Sequence, residues 1–307
     1  MESCVGMTDS QRGVCDASVI VVTYNSEECI QECLESVLAQ KGVSLEIIVV
    51  DNKSTDDTIA KIEEKNCRVI ENKENIGFGR GCNLGFSKST GRYIYFLNPD
   101  ACLVGKNSLA EMCRIMDENL QWGLAGTKVL SMDGQHESPP AKTYPGANAV
   151  SRDFSKLPGD IAWIMGASMI TRRDVYQKLQ GFDPDYFLYS EETDLCLRAR
   201  ELGFDIGYID GIEVSHIGGK SESSSDPSDV AERKLRGLLT FREKHYPQGD
   251  CIDLAKRDLR RAFFRMILNG SVAILKGRRS KEWGKYRNYR GVWMTSSSYL
   301  AEKKKKV

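Results

Sequence analysis

Apolar residues in the first hundred positions come in short, nearly continuous runs, separated by stretches where they recur at helical spacing. Ser18 to Thr23, Leu45 to Val50 and Tyr93 to Leu97 have the length and continuity of strands covered on both faces, as in a parallel sheet. Between the first two, Ile30, Leu34, Val37 and Leu38 mark a helix over Glu28 to Gln40. Ser54, with Asp57 three residues on, reads as the cap of a second helix reaching about Lys65, and Arg68 to Ile70 reads as a strand. The order β-α-β-α-β calls for right-handed crossovers and an α/β class. Further on, the pattern predicts helices at Lys106 to Glu118, at Arg173 to Leu179 and from a Ser190 cap to Leu202. Strands are expected at Gly123 to Leu130, Ala162 to Thr171 and Phe204 to Ile209, while Ser131 to Asp160, rich in Gly, Pro and Ser, gives no clear element.

Polar residues collect where these strands stop. Asp51 closes the second strand, and Asn98-Pro99 halts the fourth because proline cannot continue a central ladder. Asp100 therefore falls just past a strand's C-terminal end, the edge where open α/β sheets gather ligands. A carboxylate there can hold a metal ion or a hydroxyl, although Asn, Pro and Asp are also ordinary turn formers. Gly77-x-Gly79 leads to Cys82 and follows the third strand, so it does not make a dinucleotide fingerprint. The segment Asn75 to Gly85 reads instead as a loop whose backbone comes close to a ligand or a neighbour before entering a helix. Gly166-Ala167-Ser168 either makes room for a sugar or packs tightly. Glu191, Glu192 and Asp194 follow an aromatic run at a helix start. They are dipole partners there, or one of them has a raised pKa and removes a proton from a hydroxyl. His216 precedes Gly218 and Gly219 in an expected loop, where imidazole either is structural or binds a cation. With Asp100 it makes a divalent metal plausible, in the Lewis-acid role of neutralising a diphosphate leaving group.

Composition adds an asymmetry. The 307 residues carry 43 basic and 43 acidic side chains, and hydrophobic residues at 41% suffice for a full core. From Ala255 to Val307, sixteen Lys or Arg face three acids (Asp258, Glu282, Glu302), a net +13 that leaves −13 for the 254 residues before it. Leu259, Ala262, Phe263, Met266, Ile267, Ala273 and Ile274 fall near one helical face in this stretch, beside Arg260, Arg261 and Arg265, and Trp283, Tyr286, Tyr289 and Trp293 interleave with further cations. That composition suits a helix on an anionic membrane surface, or equally a face packed on the catalytic domain or on a second subunit as a homodimer. Lys303 to Lys306 come with no nucleic-acid motif, so RNA or DNA is not expected. Ten cysteines without CxxC pairs indicate neither zinc nor a disulfide framework and fit core thiols in a reducing cytoplasm. Residues 1 to 17 are polar and read as a disordered leader, and no run approaches the ~18 apolar residues of a spanning helix.

Seven segments in order and spacing resemble family 2 glycosyltransferases, most closely the bacterial rhamnosyltransferase-like branch. They are Val22-Thr23-Tyr24-Asn25-Ser26, Asp51-Asn52-x-Ser54-x-Asp56, Asn75-x-Gly77-Phe78, Leu97-Asn98-Pro99-Asp100, Gly166-Ala167, Glu191-Glu192-x-Asp194-Leu195-x-x-Arg198 and Ser215-His216-x-Gly218-Gly219. The resemblance implies a GT-A fold over residues 18 to 250, with a nucleotide-binding half (18 to 130) and an acceptor half (131 to 250), followed by a basic helical extension (251 to 307). It implies an inverting enzyme with a divalent cation, Mg²⁺ or Mn²⁺. The donor would be a UDP- or dTDP-sugar (rhamnose or another hexose), and the acceptor a saccharide or polyprenyl-linked saccharide at the inner face of the plasma membrane. By position, Thr23, Tyr24, Asn25, Asp51, Asn75, Gly77 and Asn98 would hold the nucleotide. An aspartate suits the imide N–H of uracil or thymine. Trp163, Gly166 and Ala167 would line the sugar and acceptor site, and Asp100 and His216 the metal. Glu192 would be the catalytic base, with Glu191 and Asp194 as neighbouring acids of the same motif. Asn98 stands where the commoner metal motif has an acid, and Glu192 where many relatives have Asp. Those two departures motivate an alternative, a non-catalytic nucleotide-sugar or glycan-binding module on the same fold.

Overall fold

The computed structural model describes residues 15–63, 65–131, 134, 137–218 and 226–305. Most of the expected leader lies outside these, as do Gly219 and Lys306. The described chain forms two compact units.

The first unit is built on a mixed sheet. Its elements run β1 (Ala17–Thr23), α1 (Ile30–Leu38), β2 (Leu45–Asp51), α2 (Thr58–Glu63), β3 (Arg68–Glu71), α3 (Phe78–Ser87), β4 (Tyr93–Leu97), β5 (Ala101–Leu103), α4 (Ser108–Glu118), β6 (Trp122–Ser131), β7 (Glu137–Ser138), β8 (Ser168–Arg172), α5 (Arg173–Lys178), α6 (Glu191–Glu201) and β9 (Asp205–His216). The strand order is β3-β2-β1-β4-β8-β6-β9-β5, with β7 paired to β6. β1, β2, β3 and β4 are mutually parallel, and β8 runs antiparallel between β4 and β6. The chain moves outward from β1 to β3 and then returns to β1's other side with β4. That reversal makes a topological switch point between β1 and β4, where strand ends splay and leave a crevice.

Continuous apolar strands follow from burial on both faces. Val19, Val21, Ile47 and Val49 point into one core with Ile30, Leu34, Val37, Leu109 and Met112 of α1 and α4. Ile20, Val22, Ile48 and Val50 point into the other with Cys82, Tyr176, Leu195 and Cys196 of α3, α5 and α6. Each such aliphatic side chain contributes about 1.5–3 kcal/mol on burial. The glycine-rich segment is explained by the second core. It is helical from Phe78, not a loop, and a Cβ at Gly81 or Gly85 would come within 2.8 Å of Val22 or 2.6 Å of Ile20. The close neighbour anticipated for these glycines is thus the sheet itself.

Other expectations need correction. Ser54 does not cap α2; it donates to Asp51, and α2 begins four residues later at Thr58, whose N–H and hydroxyl both bond Asp56. Ser190 is left-handed at φ 69°, not the extended geometry of a cap. The ladder expected over Ala162 to Thr171 starts only at Ser168, and Trp163 makes an isolated bridge to Ala141. His216 is not in a loop. It ends β9, opposite Ala101 of the unforeseen β5.

The second unit comprises residues 145–155, 188–190 and the chain from 226 on, with helices α7 (Pro227–His245), α8 (Gln248–Lys276) and α9 (Lys281–Lys305). Pro227 opens α7 and the Asp226 carboxylate accepts from the Ser228 N–H at 2.8 Å, a cap that fixes this helix start. α8 and α9 form a hairpin, and Leu235, Leu239, Ala255 and Tyr299 make a core with α7. Arg242 pairs with Asp258 at 2.5 Å to join α7 to α8. Gly291 lets α9 cross α7 closely, since a Cβ there would sit 2.4 Å from the Ser228 carbonyl oxygen.

Candidate active site

Parallel pairing of β1 with β2, beside the switch point, brings their C-terminal ends together, and the polar residues that close them lock to one another. Thr23 and Asp51 are in register. The buried Asp51 carboxylate, 2% exposed, accepts from Thr23 Oγ1 at 2.8 Å, Ser54 N–H at 2.8 Å and Ser54 Oγ at 2.5 Å. Two of these donors occupy Oδ1, so Oδ2, with one, keeps acceptor capacity for a further N–H. Asn25, left-handed at φ 51°, donates its N–H to Ser54 Oγ and accepts from the Thr55 N–H on Oδ1 at 2.8 Å. The Tyr24 ring next to it is exposed.

Asn52 extends this cluster toward α3. Its N–H bonds the Thr23 carbonyl and its amide donates to the Gly77 carbonyl at 3.1 Å. Asn75 Oδ1 accepts the Gly77 N–H at 3.0 Å. Gly77 sits at φ +87°, and a Cβ there would lie 2.2 Å from the Phe187 carbonyl oxygen, which accepts the Phe78 N–H. Only glycine fits both the conformation and the approach. Asn52 and Phe78 lie in the quoted motif segments without an assigned role, and Phe187 takes part through its backbone carbonyl, which leaves no pattern in the sequence.

On the other side of the switch point, Asp100 Oδ1 lies 3.1 Å from His216 Nε2, and the Asn98 amide nitrogen lies 3.5 Å from the same ring nitrogen. Asp100 is 6% exposed and His216 half-buried. The Asn98 N–H bonds the Ala167 carbonyl at 3.0 Å, which ties this pair to the small-residue segment. A Cβ at the neighbouring Gly166 would lie 3.4 Å from the Glu192 Cβ and 3.9 Å from the Phe78 ring. Trp163 is half-buried and donates Nε1 to the Thr143 carbonyl at 3.2 Å. Asp100, His216, Asn98, Ala167, Gly166 and Glu192 therefore form one connected row. Phe78 lies beside that row near Gly166 and follows the Gly77 backbone that Asn52 holds.

The three acids of α6 differ in environment. Glu192 is half-buried, whereas Glu191 and Asp194 are buried. Asp194 accepts from Arg198 Nε at 2.7 Å and from the Tyr186 hydroxyl at 3.4 Å, and Arg198 also donates to the Leu179 and Gly181 carbonyls. The i,i+4 spacing of Asp194 and Arg198 was the available signal for this pair. Burial, then the charge of Glu192, hold the Glu191 carboxyl well above its ordinary value of 4.5. Its Oε2 is buried with no hydrogen-bond partner among the described residues. In the unfolded chain Glu191 ionises near pH 4.5, so stability is fully present below that pH and falls as pH rises through the higher native pKa. Glu191→Gln removes the titrating group, and thermal melts should show the wild type losing more stability than the variant between pH 5 and pH 8.

A model of glycosyl transferase family 2 matches residues 18–192. An uncharacterised glycosyltransferase of Haemophilus influenzae is 39% identical over 243 residues, 73% of each chain. The N-acetylglucosaminyl-diphospho-decaprenol L-rhamnosyltransferase of Mycobacterium tuberculosis is 23% identical over 265 residues, 74% of this chain and 84% of that one. Among solved structures, the mannosyltransferase PcManGT from Pyrobaculum calidifontis, in complex with GDP-Man and Mn²⁺, superposes with a TM-score of 0.57 at 15% identity, covering 98% of this chain and 90% of that one. S. aureus TarS 1-349 gives a TM-score of 0.56 at 17% identity, covering 94% and 92%. The chain belongs to glycosyl transferase family 2. It is a glycosyltransferase of rhamnosyltransferase-like sequence on the GT-A fold anticipated from its motifs.

Proposed function

We propose that this enzyme transfers a hexose, rhamnose or a relative, from a UDP- or dTDP-sugar to a saccharide or polyprenyl-linked saccharide with inversion at the anomeric carbon. The observation that carries the reading is the continuous row from Asp100 and His216 through Gly166 to Glu192, joined by Phe78 and Asn52 to the Thr23–Asp51 cluster. Asp51 Oδ2 accepts the pyrimidine imide N–H, with Tyr24 and Asn25 beside it. Glu192 takes the acceptor hydroxyl proton as that oxygen attacks the anomeric carbon opposite the leaving diphosphate. Glu191, kept protonated by its burial, leaves Glu192 without a second full charge at its side. The Asp194–Arg198 pair holds the first turn of α6 in place and thereby positions Glu192. Trp163, Gly166 and Ala167 bound the sugar and acceptor side.

A carboxylate and an imidazole 3.1 Å apart suit a divalent cation that completes its shell with phosphate oxygens and water. No group of three His, Cys, Asp or Glu able to hold a metal occurs among the described residues. Asp100 and His216 would hold Mg²⁺ or Mn²⁺, which would supply charge neutralisation for the departing diphosphate. The direct test is a panel of UDP- and dTDP-sugars with saccharide and lipid-linked acceptors, read as released nucleoside diphosphate. Acceptor-dependent release with an inverted anomeric product is expected. Donor binding without release under any acceptor would instead favour the non-catalytic module that Asn98 and Glu192 motivate.

A further inference from the structure

α8 turns large apolar side chains away from its packed side. Leu275 is 87% exposed, Ile274 79%, Phe264 69% and Leu268 60%, and Phe263 and Ile267 are exposed beside them. At 3.6 residues per turn, Phe264, Leu268, Ser271 and Leu275 share one line along the helix, and Ala262 and Ala273 lie opposite, buried. The apolar face expected from Leu259, Ala262, Phe263, Met266, Ile267, Ala273 and Ile274 is thus divided: the alanines pack inward, Leu259 and Met266 are half-buried, and Phe263, Ile267 and Ile274 point out. A helix that buries its small residues and exposes its large ones runs against the usual arrangement of a solvated surface.

The stripe is framed by cations. Arg260, Arg261 and Arg265 are exposed along it, as are Lys276, Arg278 and Arg279 where α8 ends, and Lys281 and Lys285 where α9 begins. Behind the turn, Ile274, Arg278, Trp283 and Tyr286 line a cavity of about 430 Å³, with the Arg278 guanidinium 5.6 Å from the Trp283 ring. The acid nearest the turn, Glu282, is already paired with Lys276 at 2.9 Å. No helix among the described residues is long and apolar enough to cross a membrane.

We propose that the outward face of α8, together with the α8–α9 turn, docks on the surface of an anionic phospholipid bilayer. The exposed aliphatic and aromatic side chains enter the headgroup boundary while the flanking arginines and lysines meet lipid phosphates. Trp283 and Tyr286 supply the amphipathic rings suited to that depth. Charge decides against the same face of a second copy as the occupant. Two such faces brought together would oppose cation to cation, with three acids in residues 255–307 of each chain to offset sixteen basic groups. The surface deepens the reading of a lipid-linked acceptor, and its test does not depend on turnover.

The full chain is floated with vesicles of phosphatidylcholine alone and of phosphatidylcholine containing about one-third phosphatidylglycerol. It should rise with the anionic vesicles only, and binding should fall as salt is raised. Leu268→Glu with Leu275→Glu, and separately Arg278→Glu with Arg279→Glu, should each weaken flotation by about tenfold or more. All four side chains are exposed, so thermal melts of the variants should match wild type. Equal binding to neutral vesicles, no flotation at all, or flotation unchanged in both variants would overturn the proposal. So would a dimer in light scattering that the Leu variants dissolve. Nucleotide-sugar binding, measured alongside, separates the two readings: failed flotation with donor binding intact removes only the surface, and flotation without binding of any UDP- or dTDP-sugar removes only the proposed donor.

Discussion

Glu192→Gln should lower turnover by about 10²–10⁴-fold, the usual contribution of a general base, while donor affinity stays within about twofold of wild type. Gln keeps the length and shape of the side chain where it passes Gly166, so the packing that sets its position is retained. What it loses is the ability to take a proton from the acceptor as the new glycosidic bond forms. Acceptor-dependent release of nucleoside diphosphate at saturating donor reads the chemical step, and an equilibrium titration of donor reads the binding. Glu191 is a poor substitute, because its carboxyl is buried and burial pushes its pKa well above the ordinary 4.5. Glu192→Asp draws the carboxylate back by about 1.5 Å and should keep part of the activity. Unchanged turnover in Glu192→Gln would remove this residue from the proton transfer.

Much of the architecture was legible because burial on both faces leaves so plain a mark. The runs at Ser18 to Thr23, Leu45 to Val50 and Tyr93 to Leu97 all lie in β1, β2 and β4, and strand ends rich in Asp and Asn gave the polar edge. What escaped was set by long-range pairing. β9 continues past Ile209 because Ile212 and Val214 face a core while Gly211 and Glu213 face outward, an alternation interrupted by a register shift against β6. That continuation carries His216 into the ladder opposite Ala101, and so to Asp100, a convergence that no local spacing announces. The glycines of α3 resembled a ligand loop because tight helix–sheet packing and close ligand approach select the same residue. Asp226-Pro227 carries a legible cap signal for α7, whereas the outward face of α8 carries none. Helical periodicity shows that apolar residues share a face, but not whether a neighbour covers it.

Asp100→Asn should lower turnover by about 10²-fold or more, and unlike Glu192→Gln it should weaken donor binding too. The side chains that face each other here are one carboxylate, one imidazole and the Asn98 amide. Conversion of Asp100 leaves imidazole and two amides, and the proposed divalent cation would lose the carboxylate that faces His216. On the proposed reading the donor diphosphate would then keep its own charge beside the Glu192 carboxylate. Excess chelator should reproduce the loss in wild type, and restored Mn²⁺ should reverse it there but not in Asp100→Asn. His216→Ala should cost less with Mg²⁺ than with Mn²⁺, since imidazole favours the transition metal over the harder ion. Donor titrations with and without Mn²⁺ distinguish a metal role from mere disruption: wild type should bind more tightly with the ion, and Asp100→Asn should bind equally in both. Full activity of wild type in excess chelator would contradict the assignment. The contrast between the two variants is itself diagnostic, because a group that moves only a proton leaves donor affinity intact, whereas one that anchors the leaving group does not.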